Sequence, residues 1–112
     1  MNVKTYYRFE MRHTGSTRPN EWVGAFQLCP LYYLRKINHI LHCPTLFQKY
    51  GSSLNTRSWF TQHGYEKWGK LMEECLDECC QQYPSLEWRL VIAENVLPCI
   101  MRGKTQVVQL LE

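Results

Sequence analysis

What is scarce in this sequence narrows the field first. No run approaches 18 consecutive apolar residues, so no transmembrane helix is expected. The opening segment MNVKTYYRFEMRH lacks the uninterrupted apolar core of a secretion signal. A cytoplasmic location is therefore expected, with six cysteines that are reduced, metal-bound or both, not paired in disulfides. A strong excess of one charge is also missing. Thirteen Lys and Arg against ten Asp and Glu leave a formal net charge of +3. That is well short of a dedicated nucleic-acid binder and has the wrong sign for an acidic DNA mimic.

The 45% hydrophobic content argues against disorder, and 112 residues leave room for one core, hence a single domain over 1–112. Val3, Thr5, Tyr7, Phe9 and Met11 alternate with Lys4, Tyr6, Arg8, Glu10 and Arg12, the period of a half-buried strand. A turn-forming stretch from Thr14 to Asn20 follows. Alternation resumes over Glu21 to Leu28, with Trp22, Gly24, Phe26 and Leu28 on one side, which predicts a hairpin with a long polar tip. Pro30 is placed to open a helix as its first residue. Leu34, Ile37 and Leu41 share one face of that helix beside Tyr33 and Ile40, and Pro44 ends it near Cys43.

Thr45 to Thr61 reads as mixed loop with a short helical turn around Leu46 to Tyr50. Tyr65 to Tyr83 is the strongest helix, with Trp68, Met72, Cys75 and Cys79 in one stripe and Tyr65, Leu71, Leu76 and Tyr83 beside it. Glu73, Glu74, Asp77 and Glu78 occupy the opposite face. Gly69 inside that helix signals a close backbone approach, and Pro84 supplies the stop. Trp88 to Ala93, Cys99 to Met101 and Thr105 to Leu111 read as strands. The fold class is α+β: a mainly antiparallel sheet with two principal helices packed on one face.

Four constellations bear on chemistry. Cys75 and Cys79 are four apart on a helix, so both thiols face one side about a turn apart. His39 and Cys43 repeat that spacing at the end of the other helix. If the helices cross there, three thiolates and one imidazole can hold one structural Zn²⁺ tetrahedrally, with His42, Cys80, Cys29 and Cys99 in reserve. Against this, no C-x-x-C knuckle is present. Cys75 and Cys79 lie within the apolar stripe, where free Cys packs as a small hydrophobe. His39 and Cys43 lie roughly opposite their helix's apolar face.

A catalytic Cys–His pair using His63 lacks any recognisable nucleophile elbow, oxyanion turn or orienting residue, so no catalytic residue is assigned. The helical carboxylates read as a solvated surface. Lys4, Arg8 and Arg12 share a strand face with Tyr6, and Arg18 sits in the adjacent tip. A basic strand carrying an aromatic can track a phosphate backbone while stacking a base. It is equally the charged solvent face of an edge hairpin, interrupted by Glu10. A protein partner is the fourth reading: Lys4, Tyr6, Arg8, Arg12 and Arg18 form a basic end opposite the acidic helix. Tyr6, Tyr32, Trp59 and Phe60 are candidate anchors, unless Trp59 and Phe60 simply close the core.

The segments YYRFEMRH, a polar turn and EWVGAFQ, followed by WFTQHGYEKWG opening a Cys-bearing helix, give the chain a resemblance. It resembles the small type II anti-CRISPR proteins of phage and mobile elements. The resemblance implies a non-enzymatic inhibitor that binds the effector nuclease Cas9 or its guide complex and blocks DNA loading or cleavage. A structural metal, carried by some members, would suit the Cys and His content. The absence of strong negative charge departs from many members and favours docking on a protein lobe over DNA mimicry. No functional residue carries over position by position.

Overall fold

Alternation at the N-terminal end becomes strand β1, Thr5–His13, and its partner is the apolar run β4, Leu86–Glu94. The two pair antiparallel over their whole length, from Thr5 opposite Glu94 to His13 opposite Leu86. The computed structural model describes residues 4–15, 22–41, 56–95, 99–102 and 104–110. Because successive side chains leave opposite faces, β1 sorts its residues in two. Tyr7, Phe9 and Met11 join Trp88 and Leu90 beneath the helices, whereas Tyr6, Arg8, Glu10 and Arg12 face the other way.

The second edge of β1 is shared. Strand β2, Val23–Gly24, pairs with Glu10 and Met11, and strand β3, Thr56–Thr61, pairs with Tyr6 and Tyr7. Strand β3 continues outward to β6, Gln106–Leu110, which pairs with β5, Cys99–Arg102, through an irregularity between Cys99 and Met101. Every pairing is antiparallel.

Among the described residues three helices accompany the sheet: α1, Ala25–Leu28; α2, Leu31–Leu41; and α3, Gln62–Gln82. Thr61 caps α3, its hydroxyl accepting the Gly64 N–H at 3.1 Å, which satisfies one of the unpaired donors of the first turn. Trp68, Met72, Cys75, Leu76 and Cys79 are buried as the spacing predicts. They meet Tyr33 and Ile37 of α2, Ala25 and Cys29, and Phe9, Met11, Phe60 and Leu86 of the sheet. Each large side chain so buried contributes about 1.5–3 kcal/mol. A smaller cluster of Tyr6, Trp59 and Val107, with Val91 and Ala93, lies on the opposite sheet face. The architecture is the expected α+β arrangement with both principal helices on one face.

Four expectations need correction. The second hairpin arm is two residues long and turns helical at Ala25. In the register of Glu10 opposite Gly24, Phe26 and Leu28 would lie along an edge of β1 that β3 already occupies at Tyr6 and Tyr7. Thr56 to Thr61, read as loop, is the strand that bridges the two halves of the sheet. At Gly69 the close neighbour is the Tyr65 ring of the same helix. The close backbone approach is at Gly64, where an added Cβ would lie 2.3 Å from the Thr105 carbonyl oxygen. Helix α2 begins at Leu31, one residue after Pro30. The expected hairpin tip and the turn around Leu46 to Tyr50 lie outside the described residues.

Candidate functional site

The face of β1 that carries the basic residues is a closed ionic network. Arg8 Nε donates to Glu10 Oε2 at 2.8 Å, and its Nη1 donates to the Ser58 carbonyl at 3.0 Å. Arg89 donates from Nε and Nη2 to Glu10 Oε1 at 3.0 and 2.8 Å. The Arg8 head thus fills the seam between β2 and β3, and Gly24 leaves room for it: a Cβ there would stand 2.9 Å from Nη2. Burial pushes the Glu10 carboxyl up, but hydrogen bonds from Arg8 and Arg89 prevail and hold it below the usual carboxylate range. Burial likewise lowers the Arg8 pKa against the opposing pull of Glu10. Arg12 pairs with Glu87, and the guanidinium carbons of Arg12 and Arg89 each lie 4.4 Å from the Trp22 ring centroid.

The five residues expected to meet a partner are therefore dispersed in character. Tyr6 and Arg8 are buried, at 5% and 9% exposure; Arg12 is half-buried; Lys4 is exposed; Arg18 lies outside the described residues. Glu10, expected only to interrupt a surface patch, is its buried centre.

Of the four expected zinc ligands, Cys75 and Cys79 are buried in the main cluster. His39 belongs to α2, but its side chain, like Cys43 as a whole, lies outside the described residues. Among the described residues no three His, Cys, Asp or Glu are grouped to hold a metal. Cys29, a reserve ligand, is buried with Cys75 and Cys79 in the main cluster. Burial is the leading cause that raises all four described thiols, Cys80 to about 11 and Cys29, Cys75 and Cys79 likewise upward. These thiols are held protonated at neutral pH, and the thiolate is the form that attacks. His63 is exposed in the first turn of α3.

Of the expected aromatic anchors, Trp59 and Phe60 are core, one on each sheet face, and Tyr32 stands 65% exposed. Sequence reasoning missed its neighbours. Leu31, Leu71 and Tyr83 are also exposed; two recesses between α2 and α3 share Glu78, and a third, lined by α2 alone, adjoins one through Tyr32 and the other through Lys36. Leu31 and Tyr32 lie off the helix's apolar stripe, a visible signal. Leu71 and Tyr83, expected on the flank of the α3 stripe, sit on its outer side. Lys36 Nζ donates to Glu78 Oε2 at 2.8 Å between the two helices. Tyr65 donates to Glu73 and Trp88 Nε1 to Asp77 along the same helix. No protein-family model, curated protein or solved structure matches this chain.

Proposed function

We propose that this chain is a non-enzymatic inhibitor that acts by binding a protein, with the effector nuclease Cas9 as the candidate target. The observation that supports binding is the outward apolar surface of α2 and α3, where Leu31 and Tyr32 are 60% and 65% exposed beside Leu71 and Tyr83. Single exposed apolar residues are ordinary. Here Tyr32 joins Leu31 in one recess and Tyr83 in another, Leu71 lines the next recess beyond Lys36 and Glu78, and Arg35 and Glu74 border them, which is the composition of an interface: apolar and aromatic anchors among polar groups. The named target rests on the sequence resemblance alone. A cysteine nucleophile is disfavoured by thiols whose pKa values are raised. The nucleic-acid reading relies on Tyr6 and Arg8, which have little surface to offer a strand.

Purified Cas9, with and without guide RNA, provides the test through co-elution and DNA cleavage. Complex formation and suppressed cleavage are expected. The double variant Tyr32→Ala/Leu71→Ala, altered only at exposed positions, should weaken the complex about tenfold or more. No complex with either form of Cas9 removes the target. A complex indifferent to the double variant removes the surface.

A further inference from the structure

The tyrosines between α2 and α3 form a recess with a definite chemistry. Tyr32, Tyr33, Glu78, Gln82 and Tyr83 line a shallow recess open to solvent. Tyr33 is its buried floor at 4% exposure, and Tyr32 and Tyr83 rise from it as exposed walls. The ring of Tyr32 stands at 89° to that of Tyr33, with centroids 4.9 Å apart, and that of Tyr83 at 85°, with centroids 6.3 Å apart. Aromatic faces carry negative quadrupole potential and attract cations.

The electrostatics point the same way. Glu78 is the carboxylate that lines the recess, and the last turn of α3 has no basic residue to offset the helix's negative end. One cation from within the chain already responds: the Lys36 ammonium, 2.8 Å from Glu78. That pair is nearly half-exposed on both sides, so it is weak and exchangeable.

We propose that the Tyr32–Tyr33–Tyr83 recess, with Glu78, takes a cationic arginine or lysine side chain of a protein partner. This rests on the protein-binding reading above and specifies the chemistry of its anchor. Lys36 then acts as an internal competitor that leaves Glu78 as the partner's cation arrives.

The test needs no partner protein. The isotopically labelled full chain is titrated with acetyl-arginine-amide, and with acetyl-citrulline-amide as the neutral isostere, while the tyrosine ring and Gln82 side-chain resonances are followed. Saturable shifts at Tyr32, Tyr33, Gln82 and Tyr83 are expected with arginine and not with citrulline. Glu78→Gln and Tyr83→Ala should each weaken binding about two- to fivefold, and Tyr83→Phe should leave it unchanged. Lys36→Ala should tighten it, an effect that a merely greasy surface does not produce. Equal response to citrulline, shifts that never saturate, or weaker binding in Lys36→Ala overturns the proposal. So does occupation of the recess by a second copy, seen as concentration-dependent shifts without probe. Arginine binding without a Cas9 complex removes the target and leaves the recess. A Cas9 complex without an arginine response removes the recess alone.

Discussion

Glu10 shows how one carboxylate organises a sheet face. It accepts from Arg8 on its own strand and from Arg89 on β4, and Arg8 in turn reaches Ser58 on β3, so one ion network links three strands. Replacing a member of a buried pair strands its partner's charge, at about 3–5 kcal/mol. Glu10→Gln should destabilise on that scale in urea unfolding. The pH dependence follows from the direction of the shift. The folded-state pKa of Glu10 lies below the ordinary value of 4.5, so its contribution is complete above that value. The contribution is lost as pH falls through the folded-state pKa. The wild-type melting temperature should therefore drop more steeply than that of Glu10→Gln below about pH 4.5; parallel acid limbs would show that Glu10 is not coupled to folding. Glycine makes a second residue-scale contrast. Alanine is the better helix former by about 1 kcal/mol, yet Gly64→Ala drives a methyl into the Thr105 carbonyl, which the Thr61 N–H holds in place at 2.9 Å. A loss of about 1–3 kcal/mol is expected there. Gly69→Ala meets only the Tyr65 ring, which can swing away by loosening its stack on Tyr7 at 4.1 Å. Thermal melts should rank Gly64→Ala well below Gly69→Ala.

At the scale of elements, legibility followed periodicity. Strand β1, helix α3 and strand β4 were readable because each carries many turns or pleats of one pattern. Strand β3 was not, since Thr56 to Thr61 follows loop-like Gly51-Ser52-Ser53 and places Trp59 and Phe60 on opposite faces, both apolar. A strand buried on both sides loses its alternation. The helical turn at Ala25 was hidden for another reason: it depends on which strand claims the edge of β1, a long-range competition. The candidate surface carried a sequence signal at Leu31 and Tyr32, which lie off the apolar stripe of α2, but none at Leu71 and Tyr83, which have the residue types of the buried stripe. The thiols of α3 allow a decisive comparison between packing and metal binding. As a thiol packed in the main cluster, Cys79 replaced by Ser should cost about 1–3 kcal/mol, and a chelator should leave the wild type unchanged. A zinc held with Cys75, His39 and Cys43 instead makes chelator as damaging to the wild type as the mutation. The burial of Cys75 and Cys79 among apolar side chains favours the first outcome, and elemental analysis beside chelator melts checks it.

The whole molecule spends much of its positive charge internally. Arg8, Arg12 and Arg89 are committed to Glu10, Glu87 and the Trp22 ring, so the sheet face that looked basic in sequence is largely neutralised. The carboxylates of α3 and the exposed apolar groups of α2 lie beyond the opposite sheet face, over the main cluster. This arrangement separates two modes of action by their salt dependence. A phosphate-binding face built from four cations, Lys4, Arg8, Arg12 and Arg18, would release about one counterion per contact. Its affinity would then fall by roughly three to four orders of magnitude over a tenfold rise in salt. A protein complex centred on Leu31, Tyr32, Leu71 and Tyr83 keeps its apolar term at high salt and loses only the screened attraction at its rim. We therefore expect the complex with Cas9 to weaken less than about tenfold between 0.05 and 0.5 M salt. The charge-removing variant Glu78→Gln should flatten that dependence further, whereas a nucleic-acid complex would be indifferent to Glu78. A steep salt slope together with insensitivity to Glu78→Gln would move the working surface from the helices to the hairpin.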